Sequence, residues 1–119
     1  MARVVAFIPD LLFGSNVVGA LQAAGHEPVL VPDAYAVRSE LPGAQVLVVD
    51  LTADAAERLE QLEGILGGAV RTLAFYSHVE ADVRTRAQRA GFDLVVPRSR
   101  MAREGASLVA RLLETGTIG

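Results

Sequence analysis

The sequence predicts an α/β domain, a parallel five-stranded sheet with helices on both faces. Three observations carry this expectation. Short runs rich in β-branched residues alternate with longer segments of helical spacing along most of the chain. Within Ala44–Thr52, four consecutive apolar residues, Val46-Leu47-Val48-Val49, run straight into Asp50. A run without polar alternation suits a strand covered on both faces, in the middle of a parallel sheet. Breakers fall between the segments: Pro9, Gly25, Pro42-Gly43, Gly67-Gly68, Gly91 and Pro97.

Val4 to Ile8 is the first expected strand, and Pro9, which cannot donate to a ladder, should stop it. Ser15 or Asn16 is the expected N-cap of a helix through Ala24, with Val17, Leu21 and Ala24 on one face and Gly25 closing it. Val29 to Val31 is a short second strand between Pro28 and Pro32. Two turns of helix fit Asp33 to Leu41. After the central strand, Thr52 or Asp54 should cap a helix with Ala55, Leu59, Leu62 and Leu66 at helical spacing and Glu57, Arg58, Glu60 and Glu63 elsewhere on the cylinder. Gly67-Gly68 ends it.

Arg71 to Tyr76 is the fourth strand and runs into Ser77-His78. Glu80 to Ala90 is a helix with Val83, Ala87 and Ala90 inward and Arg84, Arg86 and Arg89 toward water. Leu94 to Val96 is the fifth strand, and a last helix is expected over about Ala102 to Glu114, with a frayed tail from Thr115 to Gly119. Right-handed crossovers leave few arrangements. The flavodoxin-like strand order 2-1-3-4-5 is expected, a (βα)5 three-layer sandwich with strands one and three as central neighbours.

The chain of 119 residues suits a single domain over residues 1–119. Hydrophobic residues make up 51% and charged residues 21%, which places it among globular rather than disordered chains. Aromatic content of 5%, no Trp and a net charge of -3 argue against nucleic-acid binding. With no Cys there is no disulfide, thiolate nucleophile or Cys-ligated metal. No apolar run approaches the roughly 20 residues of a membrane span. No signal-peptide pattern is seen, so the cytoplasm is the expected location. No dinucleotide fingerprint, P-loop or nucleophile elbow is found, and His26 and His78 lack zinc-ligand spacing. The Asp-x-His-x-x-Gly signature of cobalamin modules is also missing after the first strand.

In such a fold every loop after a strand opens on one edge, where ligands of open α/β sheets bind. Asp10, Ser15, Asn16, Asp50, Thr52, Ser77, His78, Arg98, Ser99 and Arg100 gather there. In this order the chain resembles a response-regulator receiver domain over nearly its whole length. Asp50 in Val48-Val49-Asp50-Leu51 resembles the phosphoacceptor, Ser77 in Phe75-Tyr76-Ser77 the hydroxyl position, and Ala90-Gly91-Phe92-Asp93 the turn into strand five. Where the family has two acids after strand one, this chain has Pro9-Asp10; its Lys-Pro pair falls on Arg98 and Ser99, with Pro97 ahead of them.

The resemblance implies a Mg²⁺ site, a hard-cation site of oxygen ligands, for which Asp10 and Asp50 are the available carboxylates. With two of five signature positions altered, no metal or other cofactor is expected. A degenerate pseudo-receiver is implied, in which ordinary aspartyl phosphorylation is doubtful. The resemblance also implies a conformational switch near Phe75, Tyr76 and Ser77, and self-association through the fourth helix, fifth strand and fifth helix.

Each residue has a plainer reading. Without metal, Asp50 is expected to pair with Arg98 as a structural ion pair. Asp10 could simply cap the turn before the first helix, and Ser15 and Asn16 are caps first. His78, next to the hydroxyl position, is a candidate acid–base group, but a lone loop histidine usually bonds to backbone. His26 is expected to be exposed and is assigned nothing. Arg98, Arg100 and Arg103 are either a solvated cluster or an anion clamp.

The expected function is a non-catalytic signalling or interaction domain working through an unknown protein partner. A small anion- or phosphate-ligand binder or enzyme is the alternative, with His78 as acid–base group, Asp50 as its orienter, and Arg98 and Arg100 as clamp. A receiver phosphorylated at Asp50 is a third.

Overall fold

The computed structural model describes residues 2–116, with side chains described as far as residue 114. Its elements are β1 (Arg3–Phe7), α1 (Leu11–Ala23), β2 (Glu27–Val31), α2 (Ala34–Glu40), β3 (Val46–Asp50), α3 (Ala55–Gln61), β4 (Arg71–Tyr76), α4 (Ala81–Ala90), β5 (Leu94–Pro97) and α5 (Arg98–Gly116). The sheet runs β2-β1-β3-β4-β5 with every pair parallel, the flavodoxin-like order the sequence predicts. Val48 of β3 faces Ala6 on one side and Leu73 on the other.

Period-2 alternation sends successive side chains of a strand to opposite faces. Along β3, Val46 and Val48 enter one core with Phe13, Val17 and Leu21 of α1 and Met101, Leu108 and Val109 of α5. Leu47 and Val49 enter the other, with Val37 of α2, Leu62 and Ile65 beyond α3, and Val83 and Ala87 of α4. All five β3 residues are buried, which is why that stretch carries no alternation in polarity.

Several boundaries differ from the sequence expectation. Helix α1 starts five to six residues early, because Asp10 rather than Ser15 or Asn16 caps it, Oδ1 accepting from the Phe13 N–H at 3.1 Å. Ser15 and Asn16 are therefore exposed helix residues. Strand β2 begins at Glu27 and contains Pro28, tolerated because β2 is an edge strand. Helix α3 stops at Gln61, and turns then lead through Gly64, whose φ of +86° a helix cannot continue through. Helix α5 follows β5 without a loop, starting at Arg98 rather than Ala102. Thr115 and Gly116 belong to it, while the rest of the expected frayed tail lies outside the described residues.

His26 is half-buried, not exposed: its Nδ1 accepts from the Ala2 N–H at 3.2 Å. Arg84, Arg86 and Arg89 do face solvent. Gly14 lets α1 approach the sheet closely: a Cβ there would lie 2.8 Å from Leu30 Cδ1, the movable end of a side chain, and 3.3 Å from the Ile8 carbonyl oxygen. Among the described residues no helix is long and apolar enough to cross a membrane.

Candidate functional site at the carboxyl edge of the sheet

Asp50 ends β3 and is 5% exposed. A carboxylate so deeply placed requires partners, and two neighbours in sequence supply them. The Thr52 N–H lies 2.8 Å from Oδ1 and the Thr52 hydroxyl 2.5 Å from the same oxygen. The amide bond, from residue i+2 back to the side chain of i, is an Asx turn, which explains how the chain leaves the strand here.

The third partner is Arg58. Its Nη1 donates to the Asp50 carbonyl oxygen at 2.7 Å and lies 3.9 Å from Asp50 Oδ1. Its Nη2 lies 3.9 Å from Asp54 Oδ2. The guanidinium carbon sits 5.6 Å from the centroid of the Phe7 ring, and the side chain is 11% exposed. Helical side chains lean toward the N-terminus of their helix, so an arginine in the first turns of α3 reaches back to the strand end. Asp54 precedes α3 in the left-handed region, φ 51°, with no side-chain cap bond.

The expected Asp50–Arg98 pair does not form. Arg98 Nη2 lies 3.7 Å from Asp10 Oδ2, and its guanidinium carbon stacks 4.4 Å from the centroid of the Phe13 ring. Phe13 packs in turn on Phe75 with centroids 5.1 Å apart. The early start of α5 is the cause: Arg98 occupies the first helical position beside α1, where Asp10 caps. Arg100 and Arg103 are drawn away from Arg98, both to Glu104 Oε2, at 3.5 and 3.7 Å. The expected basic cluster is thus divided.

An open cleft of about 570 Å³ lies on the same edge, lined by Phe13, Thr52, Ser77, His78, Arg98, Ser99 and Ala102. It unites Ser77, His78, Arg98 and Ser99 as expected from the sequence. Asp10, Asp50 and Arg100 are not in its wall, whereas Phe13 and Ala102 are. Ser77 opens a turn in which the Glu80 N–H donates to the Ser77 carbonyl at 2.8 Å, leaving His78 exposed at the turn.

The residues present do not fit a Mg²⁺ ion, which wants near-octahedral oxygen ligands and usually one or two free carboxylates. Oδ1 of Asp10 caps a helix and its Oδ2 faces Arg98, while Oδ1 of Asp50 is taken by Thr52 beside Arg58. Pro9 has no ligand to offer. Among the described residues, no three His, Cys, Asp or Glu side chains gather as a metal-ligand group.

The roles of two residues at Asp50 are not marked by any motif in the sequence. Thr52 reads as an edge residue or helix cap, although Asp-x-Thr is a ready Asx-turn sequence. Helical spacing puts Arg58 with Glu57, Glu60 and Glu63 elsewhere on the cylinder than the Ala55, Leu59, Leu62 and Leu66 stripe. The signal for it is Asp54 four residues earlier, an i,i+4 ion-pair spacing that aims the guanidinium at the N-terminal end of α3.

No protein-family model and no curated protein matches this sequence. Solved structures do match. The receiver domain of the TMAO respiratory system response regulator TorR is 13% identical, with a TM-score of 0.86 over 97% of this chain and 98% of that one. A response regulator from Thermotoga maritima is 14% identical, with a TM-score of 0.80 over 96% and 98% of the two chains. NtrX from Brucella abortus, solved in complex with ADP, is 18% identical, with a TM-score of 0.83. That match covers 98% of this chain but spans only 27% of NtrX. At such identities the likeness speaks for the backbone and not for the chemistry, and by strand order, helix placement and superposition this chain has the fold of a response-regulator receiver domain.

Proposed function

We propose that this chain is a degenerate receiver-like signalling or protein-interaction domain that works without aspartyl phosphorylation. The observation that carries this reading is the state of Asp50. A phosphoacceptor works beside a metal held by carboxylates, with no cation of the protein's own in that place. Here Oδ1 accepts two bonds from Thr52, a guanidinium stands 3.9 Å away, and the second acid of the family's pair is Pro9. The fold is retained, and its outward faces are what it offers to other proteins. Self-association through α4, β5 and α5 belongs to the same proposal, with exposed Arg84, Arg86 and Arg89 on α4 as candidate contacts.

The test is an amide NMR titration of the full chain with beryllofluoride and Mg²⁺. No saturable shift is expected at Asp50, Leu51, Thr52 or Ser77. A saturable shift there, or labelling of Asp50 by acetyl phosphate, would overturn the proposal in favour of a phosphorylated receiver.

A second reading rests on the cleft. Arg98, His78, Ser77, Ser99 and Thr52 line one opening and together offer the donors that a phosphate or carboxylate ligand uses. Stabilisation by phosphorylated metabolites in a thermal-shift screen, lost in His78→Ala or Arg98→Ala, would support a small anion-ligand protein. No shift with any anion would dismiss it.

A further inference from the structure

Three oxygens surround the Arg58 guanidinium: the Asp50 carbonyl at 2.7 Å, Asp50 Oδ1 at 3.9 Å and Asp54 Oδ2 at 3.9 Å. One is a main-chain oxygen and two belong to carboxylates, a donor set that suits a hard cation. The fourth side is closed by the Phe7 ring. The chain has set its own arginine among these oxygens, hydrogen-bonded to one and within ion-pair reach of two, and nearly out of solvent at 11% exposure.

We infer that Arg58 is the resident cation of this edge and that it excludes divalent metal from Asp50. The inference rests on the degenerate reading above and says what enforces it. A guanidinium offers five donors in a planar fork that matches carboxylate and carbonyl oxygens. Being tethered, it competes with free Mg²⁺ or Mn²⁺ at a high effective concentration. The placement is held from several directions. Asp54 Oδ2 stands 3.9 Å from the guanidinium, and the carbonyl of Asp50 receives its hydrogen bond. Phe7, 2% exposed, provides the ring beneath it. The lost acid at Pro9 is thus not the sole departure that matters; a cation supplied by α3 is the other.

The experiment is a Mn²⁺ titration of amide NMR signals, comparing the full wild-type chain with Arg58→Ala, Arg58→Gln and Arg58→Lys. Dispersion of the spectrum and the melting temperature check that each variant is folded. Arg58→Gln keeps a neutral donor for the Asp50 carbonyl, so it serves if Arg58→Ala unfolds. The inference expects no localised broadening in wild type or Arg58→Lys, which keep a cation. It expects saturable broadening at Asp50, Leu51, Thr52 and Asp54 in Arg58→Ala or Arg58→Gln, reversed by chelator and lost when Asp50→Asn or Asp54→Asn is added. Folded but silent neutral variants would overturn the inference while leaving the degenerate reading intact. Broadening in the wild type equal to that in the neutral variants would also overturn it. Beryllofluoride binding by the wild type would instead remove the degenerate reading itself.

Discussion

Thr52 holds Asp50 by two donors to a single oxygen, the N–H at 2.8 Å and the hydroxyl at 2.5 Å. Hydrogen bonds to an ionised group in a nearly buried place are the stronger kind, contributing about 1.5–3 kcal/mol each. Replacing Thr52 by Val removes the hydroxyl and keeps shape and backbone. Urea unfolding of Thr52→Val should show a loss of about 1.5–3 kcal/mol, with Thr52→Ser recovering most of it. An unchanged midpoint would mean that Asp50 does not use the hydroxyl.

Arg98 and Asp50 should behave as independent sites. Both members of the Arg98–Asp10 pair are about half exposed, so the pair itself contributes about 0–1 kcal/mol. The stacking of Arg98 on Phe13 adds about 0.5–1 kcal/mol. Arg98→Ala should therefore lower stability only slightly, shifting the amides of Asp10 to Phe13 and leaving Leu51 and Thr52 where they were. Larger shifts at Thr52 than at Asp10 would restore the pairing expected from the sequence.

Asp93 ties the start of β5 to β4. Its Oδ2 accepts from the Thr72 N–H at 2.8 Å and from the Thr72 hydroxyl at 3.1 Å, while the Asp93 N–H donates to Thr72 Oγ1 at 3.0 Å. Thr72 is fully buried. Asp93→Ala leaves buried donors unmet and should cost about 1–3 kcal/mol. Asp93→Asn, which keeps an acceptor oxygen, should cost less. Chemical denaturation of the two variants side by side decides this.

Gly91 closes α4 at φ 109°, with its N–H bonded back to the Ala87 and Gln88 carbonyls. Space is not the constraint, since a Cβ would approach nothing closer than 3.7 Å. The backbone conformation is. Gly91→Ala should lose about 1–2 kcal/mol, the penalty for a Cβ at positive φ. Thermal unfolding measures it, and a neutral result would show that the turn relaxes to another conformation.

The sheet was legible because its signals are local. Val46 to Val49 announce a two-sided strand without reference to any other part of the chain. Gly25 and Gly91 mark helix ends because positive φ is a property of a single residue. The carboxyl edge was legible as a set for the same reason: once strands and helices alternate in parallel, Asp10, Asp50, Ser77 and Arg98 must fall on one side. Helix starts were less visible. Asp10, Ser15 and Asn16 all qualify as caps, and packing of Phe13 and Val17 against the sheet selects the first. The early start of α5 likewise lets Met101, fully buried, enter the core.

What the sequence determined by itself is the order of strands, the central place of β3 and the position of Asp50 at its end, because periodicity and chain connectivity dictate these. What the tertiary structure decided is which cation each carboxylate meets. Arg58 and Arg98 are both arginines near an acid, and composition cannot distinguish them. Distances of a few ångströms, set by where α3 and α5 begin and which way their first side chains lean, send Arg58 to Asp50 and Arg98 to Asp10. Electrostatic attraction falls with distance and with exposure, so that geometry leaves Asp50 a nearly buried carboxylate at the end of its strand, with Oδ1 held by Thr52 and Arg58 nearby.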